Sequence, residues 1–261
     1  MKSLRANRGF TLLELAIVVF VVGLLLAGMI GPIDTQIEAR DRRLTTSAMN
    51  EALEAVYGFA VSAGRLPCPD TTGDGVEDFA SGPPPWACAA ADGWLPSTTL
   101  ATAGADAWGN RLRYHVTEPG FTTPDDGICS AADADLDLCE SGGITVQTRG
   151  DNPATAAPVT EGKFLLTSAN DVPAVIVSHG RNGRGSTSNL GIARAAAPIN
   201  TDEDENADGD NTFITRIYTR DAGGCSDDAD ENTALCGYDD LLLLVSPTVL
   251  NNRLVMAGRL P

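Results

Sequence analysis

The chain has 261 residues, a formal net charge of −17 and 43% apolar residues. That balance excludes a nucleic-acid binder, whose phosphate contacts need clustered Lys and Arg, and it leaves enough apolar material for a core. The 27 glycines and 15 prolines, concentrated beyond position 64, point to a loop-rich globular part.

Lys2, Arg5 and Arg8 open the chain. A run from Phe10 to Gly31 follows, 22 residues in which Glu14 is the one ionisable side chain. As a helix it spans roughly 30 Å, enough to cross a bilayer core, with the basic leader on the cytoplasmic side. A secretory signal peptide has a shorter apolar core of about 7–15 residues and a small-x-small cleavage site. Ala27-Gly28-Met29 fits such a site poorly. A plain membrane anchor does not account for Glu14, because a carboxylate at that depth costs about 2.5–3.5 kcal/mol on insertion scales. Cleavage between Gly9 and Phe10 would supply a partner, a new α-amino group close to Glu14 in sequence.

Beyond Pro32 the pattern turns amphipathic. Ile33, Ile37, Leu44, Ala48, Leu53, Val56 and Ala60 recur near helical spacing, with charged residues between them. The spacing predicts one helix from Phe10 to about Ser62, bent rather than ended by Pro32. Gly64 and Pro67 supply its stop. The resulting segments are a leader over 1–9, a membrane or filament-core helix over 10–31, its amphipathic half over 32–63, and a globular head over 64–261.

The stretch from Leu66 to Asn110 reads as irregular, with Pro83-Pro84-Pro85 forbidding regular structure. Strands are predicted at Arg111–Thr117, Ile144–Thr148, Lys163–Thr167, Ala174–Ser178, Phe213–Thr219 and Asp240–Val245. Ser246-Pro247 then opens a short C-terminal helix. The expected fold class is α+β: a long N-terminal helix on an antiparallel sheet, with clipped loops and a closing helix. All six cysteines lie after the apolar run, which points to disulfides in an oxidising compartment. Sequence permits 15 connectivities. Nearest-neighbour pairing, Cys68–Cys88, Cys129–Cys139 and Cys225–Cys236, is the expectation. Zinc is disfavoured by the lack of Cys-x-x-Cys and by only two histidines.

Two acidic stretches fit part of a calcium-loop template. Asp70, Thr72, Asp74, the Val76 carbonyl and Asp78 occupy oxygen-donor places around a turning Gly75. Asp204, Asn206, Asp208 and Asp210 repeat the pattern around Gly209. Neither has the closing bidentate Glu, so a solvated acidic loop is the competing reading of each. Ser178-His179 is no hydrolase signature, and Gly-x-Ser-x-Gly is absent.

Arg8-Gly9-Phe10-Thr11-Leu12-Leu13-Glu14 with its apolar helix resembles the class III prepilin signal of type IV pilins and type II secretion pseudopilins. The resemblance implies cleavage after Gly9 and N-methylation of Phe10 by a prepilin peptidase. It implies that Glu14 pairs with the Phe10 amine of a neighbouring subunit, that Pro32 stands at the pilin kink, and that the fold is the pilin ladle. Gly64–Pro69, Asp106–Tyr114, Val177–Gly183 and Tyr238–Leu241 also look like segments of bacterial prepilin-type proteins, and some pseudopilins hold calcium. The expected protein is a non-enzymatic filament subunit, a minor pilin or pseudopilin. Its partners are other subunits, the peptidase and, before assembly, inner-membrane lipid. It crosses that membrane once with the head in the periplasm, and reaches the cell surface if the filament is a pilus. The alternative is a stand-alone membrane-anchored calcium- or ligand-binding protein.

Overall fold

The computed structural model describes residues 11–80, 87–124, 136–149, 163–199, 201–220, 224–225, 227 and 235–260, without the side chains of 25–33 and 163–164. It divides into two compact units, Met1–Arg43 and Leu44–Pro261. Helix α1, Leu12–Ala63, contributes to both.

In the first unit, Thr11 Oγ1 accepts the Glu14 N–H at 3.2 Å and caps the helix start, where an acid is also favoured by the helix dipole. Leu12 to Leu24 are exposed on every side of the helix. Pro32 stands inside α1 and does not end it. Among the described residues no helix is long and apolar enough to cross a membrane. The expected span, Phe10 to Gly31, runs outside those residues at Phe10 and, for its side chains, from Leu25 on.

The second unit is built in three layers. Strands β1 (Asp92–Trp94), β2 (Arg113–Val116), β5 (Ala174–Ser178) and β7 (Leu241–Leu244) form an antiparallel sheet in the order β1-β2-β5-β7. On one face lie Tyr114, Val116, Ala174 and Ile176, packed with Met49, Ala52, Val56 and Ala60 of α1 and with Leu250 and Leu254 of α4 (Pro247–Met256). On the other face, Val175 and Val177 pack with Ile144, Val146 and Phe213. Those come from or adjoin a second sheet of β3 (Thr145–Arg149), β4 (Lys163–Leu165) and β6 (Thr212–Ile214). The β3–β6 pair is parallel, so this sheet is mixed, where the sequence suggested one antiparallel sheet. A strand covered on both faces loses the polar alternation of a one-sided sheet. Ala174-Val175-Ile176-Val177-Ser178 is buried at every position for that reason.

Several expectations shift. The buried seam of α1 runs through Thr45, Met49, Ala52, Val56 and Ala60, while Leu44 is exposed. Thr45 is drawn in because its Oγ1 accepts the Ala107 N–H at 3.1 Å. Gly64, at φ 73°, closes the helix by donating its N–H to Ala60 O. Strand β1 and the short helices α2 (Ser97–Leu100) and α3 (Asp202–Glu205) arise where the sequence read as loop. Disulfides join Cys68 to Cys88 and Cys225 to Cys236. Cys129, half of the third expected pair with Cys139, lies outside the described residues.

The two-sided burial of β5 is testable with adjacent substitutions. Ile176→Ala should cost about 2–5 kcal/mol and Val175→Ala roughly 1.5 kcal/mol in urea unfolding, although the side chains point to opposite faces. A neutral Val175→Ala would mean that the second face is open to water.

Candidate functional site

Two regions carry the residues singled out in the sequence. The first is the start of α1. Glu14 sits exposed in the first helical turn among exposed Leu12, Leu13, Leu15 and Ile17. Gly9 and Phe10 lie outside the described residues, as does the Pro32 side chain.

The second region is at one end of the head's sheets. The 70–78 loop is a tight turn organised by carboxylates accepting backbone N–H groups. Asp70, 2% exposed, takes the N–H groups of Thr72 (3.0 Å) and Gly73 on Oδ1 and that of Gly75 on Oδ2 (2.7 Å). Asp78 Oδ2 accepts from Thr71 and Thr72, and Asp74 Oδ1 from the Val76 N–H. In the other stretch, Asn206 turns inward. Its Nδ2 donates to Ile214 O and Asp240 Oδ2, and its Oδ1 accepts the Ile214 N–H. Asp208 and Asp210 accept N–H groups two residues ahead, and the Asp204 N–H donates to the Thr201 Oγ1 that caps α3. Asp70 and Asp78 share the Thr72 N–H, but among the described residues neither loop has three acids drawn within 4.8 Å of one another.

A different group does. The carboxylates of Glu203, Asp239 and Asp240 are all buried, with one oxygen from each within 4.8 Å of the others; among the described residues this is the one such His, Cys or acidic group. Glu203 comes from α3, and Asp239 and Asp240 lead into β7. Glu203 Oε1 accepts Asn182 Nδ2 at 2.8 Å and the Asp239 N–H at 3.1 Å. Burial, reinforced by the Asp240 charge, pushes the Glu203 carboxyl up to about 7. The Asp239 backbone crosses so close to Gly180 (φ 58°) that a Cβ there would meet Asp239 O at 2.5 Å. The sequence displayed these acids as parts of two separate segments. The missed signal was a pair of acids immediately ahead of an all-apolar strand.

Ser178 and His179 diverge. Ser178 Oγ donates to Asp106 Oδ2 at 2.8 Å, whereas His179 Nδ1 faces Asp240 Oδ2 at 3.7 Å.

Residues 4–30 match the family model described as the prokaryotic N-terminal methylation motif. The chain carries the signal motif of type IV pilins and pseudopilins. That motif supports a prepilin-type, membrane-anchored precursor and a structural subunit. Neither the curated proteins nor the solved structures compared with the chain give a match.

Glu203 gives a pH signature. Its ordinary value is 4.5 and its folded value about 7, so between those pH values the unfolded chain releases a proton that the folded chain retains. In chelator-treated protein, unfolding free energy should therefore fall as pH rises from about 4.5 to 7. Urea melts at several pH values should show Glu203→Gln flattening that fall; an unchanged slope would remove Glu203 as its source.

Proposed function

We propose that this chain is a subunit, a minor pilin or pseudopilin, of a type IV pilus or type II secretion filament. The observation that carries the reading is the methylation motif over residues 4–30, continued by a helix start whose side chains are apolar and exposed except for Glu14. Prepilin peptidase cuts between Gly9 and Phe10 and methylates the new amine. The precursor is held in the inner membrane by 10–31 with its head in the periplasm. Assembly moves that helix from lipid into a bundle of like helices, so apolar burial is retained throughout.

Glu14 then meets the Phe10 amine of the adjoining subunit. In a low-dielectric bundle a misplaced charge is costly and a matched one close to neutral, so the pair sets register more than it adds stability. The α+β head, with α1 residues packed on an antiparallel sheet, supports a pilin-type ladle. Its large loops and net acidity suit a low-copy position better than a densely packed shaft.

Glu14→Ala should reduce recovery of the subunit in sheared filaments by at least about tenfold, the equivalent of 1.4 kcal/mol, while the head's thermal unfolding stays unchanged. Parental recovery of the variant would contradict the role given to Glu14. Gly9→Leu should leave the precursor unprocessed, read as retention of its leader on a gel; normal processing would remove the assigned cleavage site.

A further inference from the structure

The register of the antiparallel sheet pairs Ser178 with Leu241, which brings the residues just outside the strands, His179 and Asp240, to the same sheet end. Glu203 enters the same place from α3. Glu203, Asp240 and His179 are 0, 4 and 2% exposed. The polar contacts there are specific. Glu203 Oε1 takes Asn182 Nδ2 and the Asp239 N–H, and Glu203 Oε2 lies 3.4 Å from Arg184. Asp239 Oδ2 takes the Asn182 N–H, and Asp240 Oδ2 takes Asn206 Nδ2.

Asp240 Oδ1 and His179 Nδ1 are among the buried atoms left without a hydrogen bond. Nδ1 is 3.7 Å from Asp240 Oδ2, beyond hydrogen-bond range and turned toward the acids. Buried polar atoms in native proteins are satisfied almost without exception, and buried like charges need a counter-charge. A buried cluster of carboxylates with an imidazole nitrogen beside one of them has the chemistry of a metal site.

We propose that the Glu203, Asp239 and Asp240 carboxylates, with His179 closing in from beside Asp240, bind one divalent first-row metal ion of the manganese or zinc type. Calcium takes six to eight oxygens and no imidazole, whereas mixed nitrogen and carboxylate donors suit manganese, iron or zinc. His179 also lines an open cleft of about 390 Å³, so the imidazole stands between that cleft and the acids. The ion fastens the segment after β5, α3 and the lead-in to β7 to one point, a clamp made of three chain segments distant in sequence. It is independent of the filament role, since none of its ligands lies in the N-terminal motif.

The test uses the full-length processed protein in detergent, stripped with a chelator and dialysed against Mn²⁺, Zn²⁺ or Ca²⁺. Metal analysis should find about one Mn²⁺ or Zn²⁺ per chain, not displaced by equimolar Ca²⁺, with a rise in thermal midpoint. Asp240→Asn should weaken binding at least tenfold, about 1.4 kcal/mol. In Co²⁺-loaded protein the visible absorption should change on His179→Gln, a signature that a merely structural histidine would not give. Absence of bound first-row metal in the parent protein overturns the proposal without recourse to any variant. So does preference for Ca²⁺, or binding that survives both substitutions unchanged.

Discussion

From Leu12 to Leu24, α1 offers apolar side chains around its whole circumference, and none of the described residues of its own unit covers them. An amphipathic helix hides one stripe against its own domain; a helix apolar on all sides needs lipid or other helices. Glu14 sharpens the constraint, because any apolar surroundings that accept the leucines and valines must also meet a carboxylate. A partner bringing a positive charge to that depth satisfies both demands, and the signal motif over residues 4–30 implies processing by a prepilin peptidase. The functional reading follows from that pair of demands more than from any feature of the head.

The head obeys a separate rule. Its central strand, β5, is buried on both faces, toward α1 and α4 on one side and the mixed sheet on the other. Three layers allow polar groups to be enclosed where the sheets end. Arg149 and Arg216 both reach the fully buried Asp202, and Arg113 holds Asp92 through two bonds of 2.6 and 2.9 Å. Breaking one member of such a pair leaves an uncompensated charge, so these contacts fix the loops' positions more than they raise stability. The acids at Glu203, Asp239 and Asp240 stand out because one carboxylate oxygen of each lies within 4.8 Å of the others.

Elements with a strong local pattern were legible in the sequence. The long helix, the apolar β5 and the start of α4 follow from periodicity and the Pro247 at its first position, although the Ser246 side chain makes no capping bond. What stayed hidden depended on partners far along the chain. Strand β1 is only Asp92-Gly93-Trp94, and it exists because β2 pairs with it; Gly93 passes so near Asp70 that a Cβ would lie 2.6 Å from Asp70 O. The parallel β3–β6 pair joins segments that share no local signal. Calcium templates read along the chain pointed to 70–78 and 204–210, yet Asn206 is turned into the core by Ile214 and Asp240. The cluster that does converge is assembled by strand register, which no spacing rule displays.

The most direct test of the filament reading is the mass of the native protein's N-terminal peptide, taken from the cells that make it. A peptide beginning at Phe10 with a methylated α-amine is the predicted result. A peptide that still begins at Met1, in protein that is functional and fully retained in the membrane, would contradict the account.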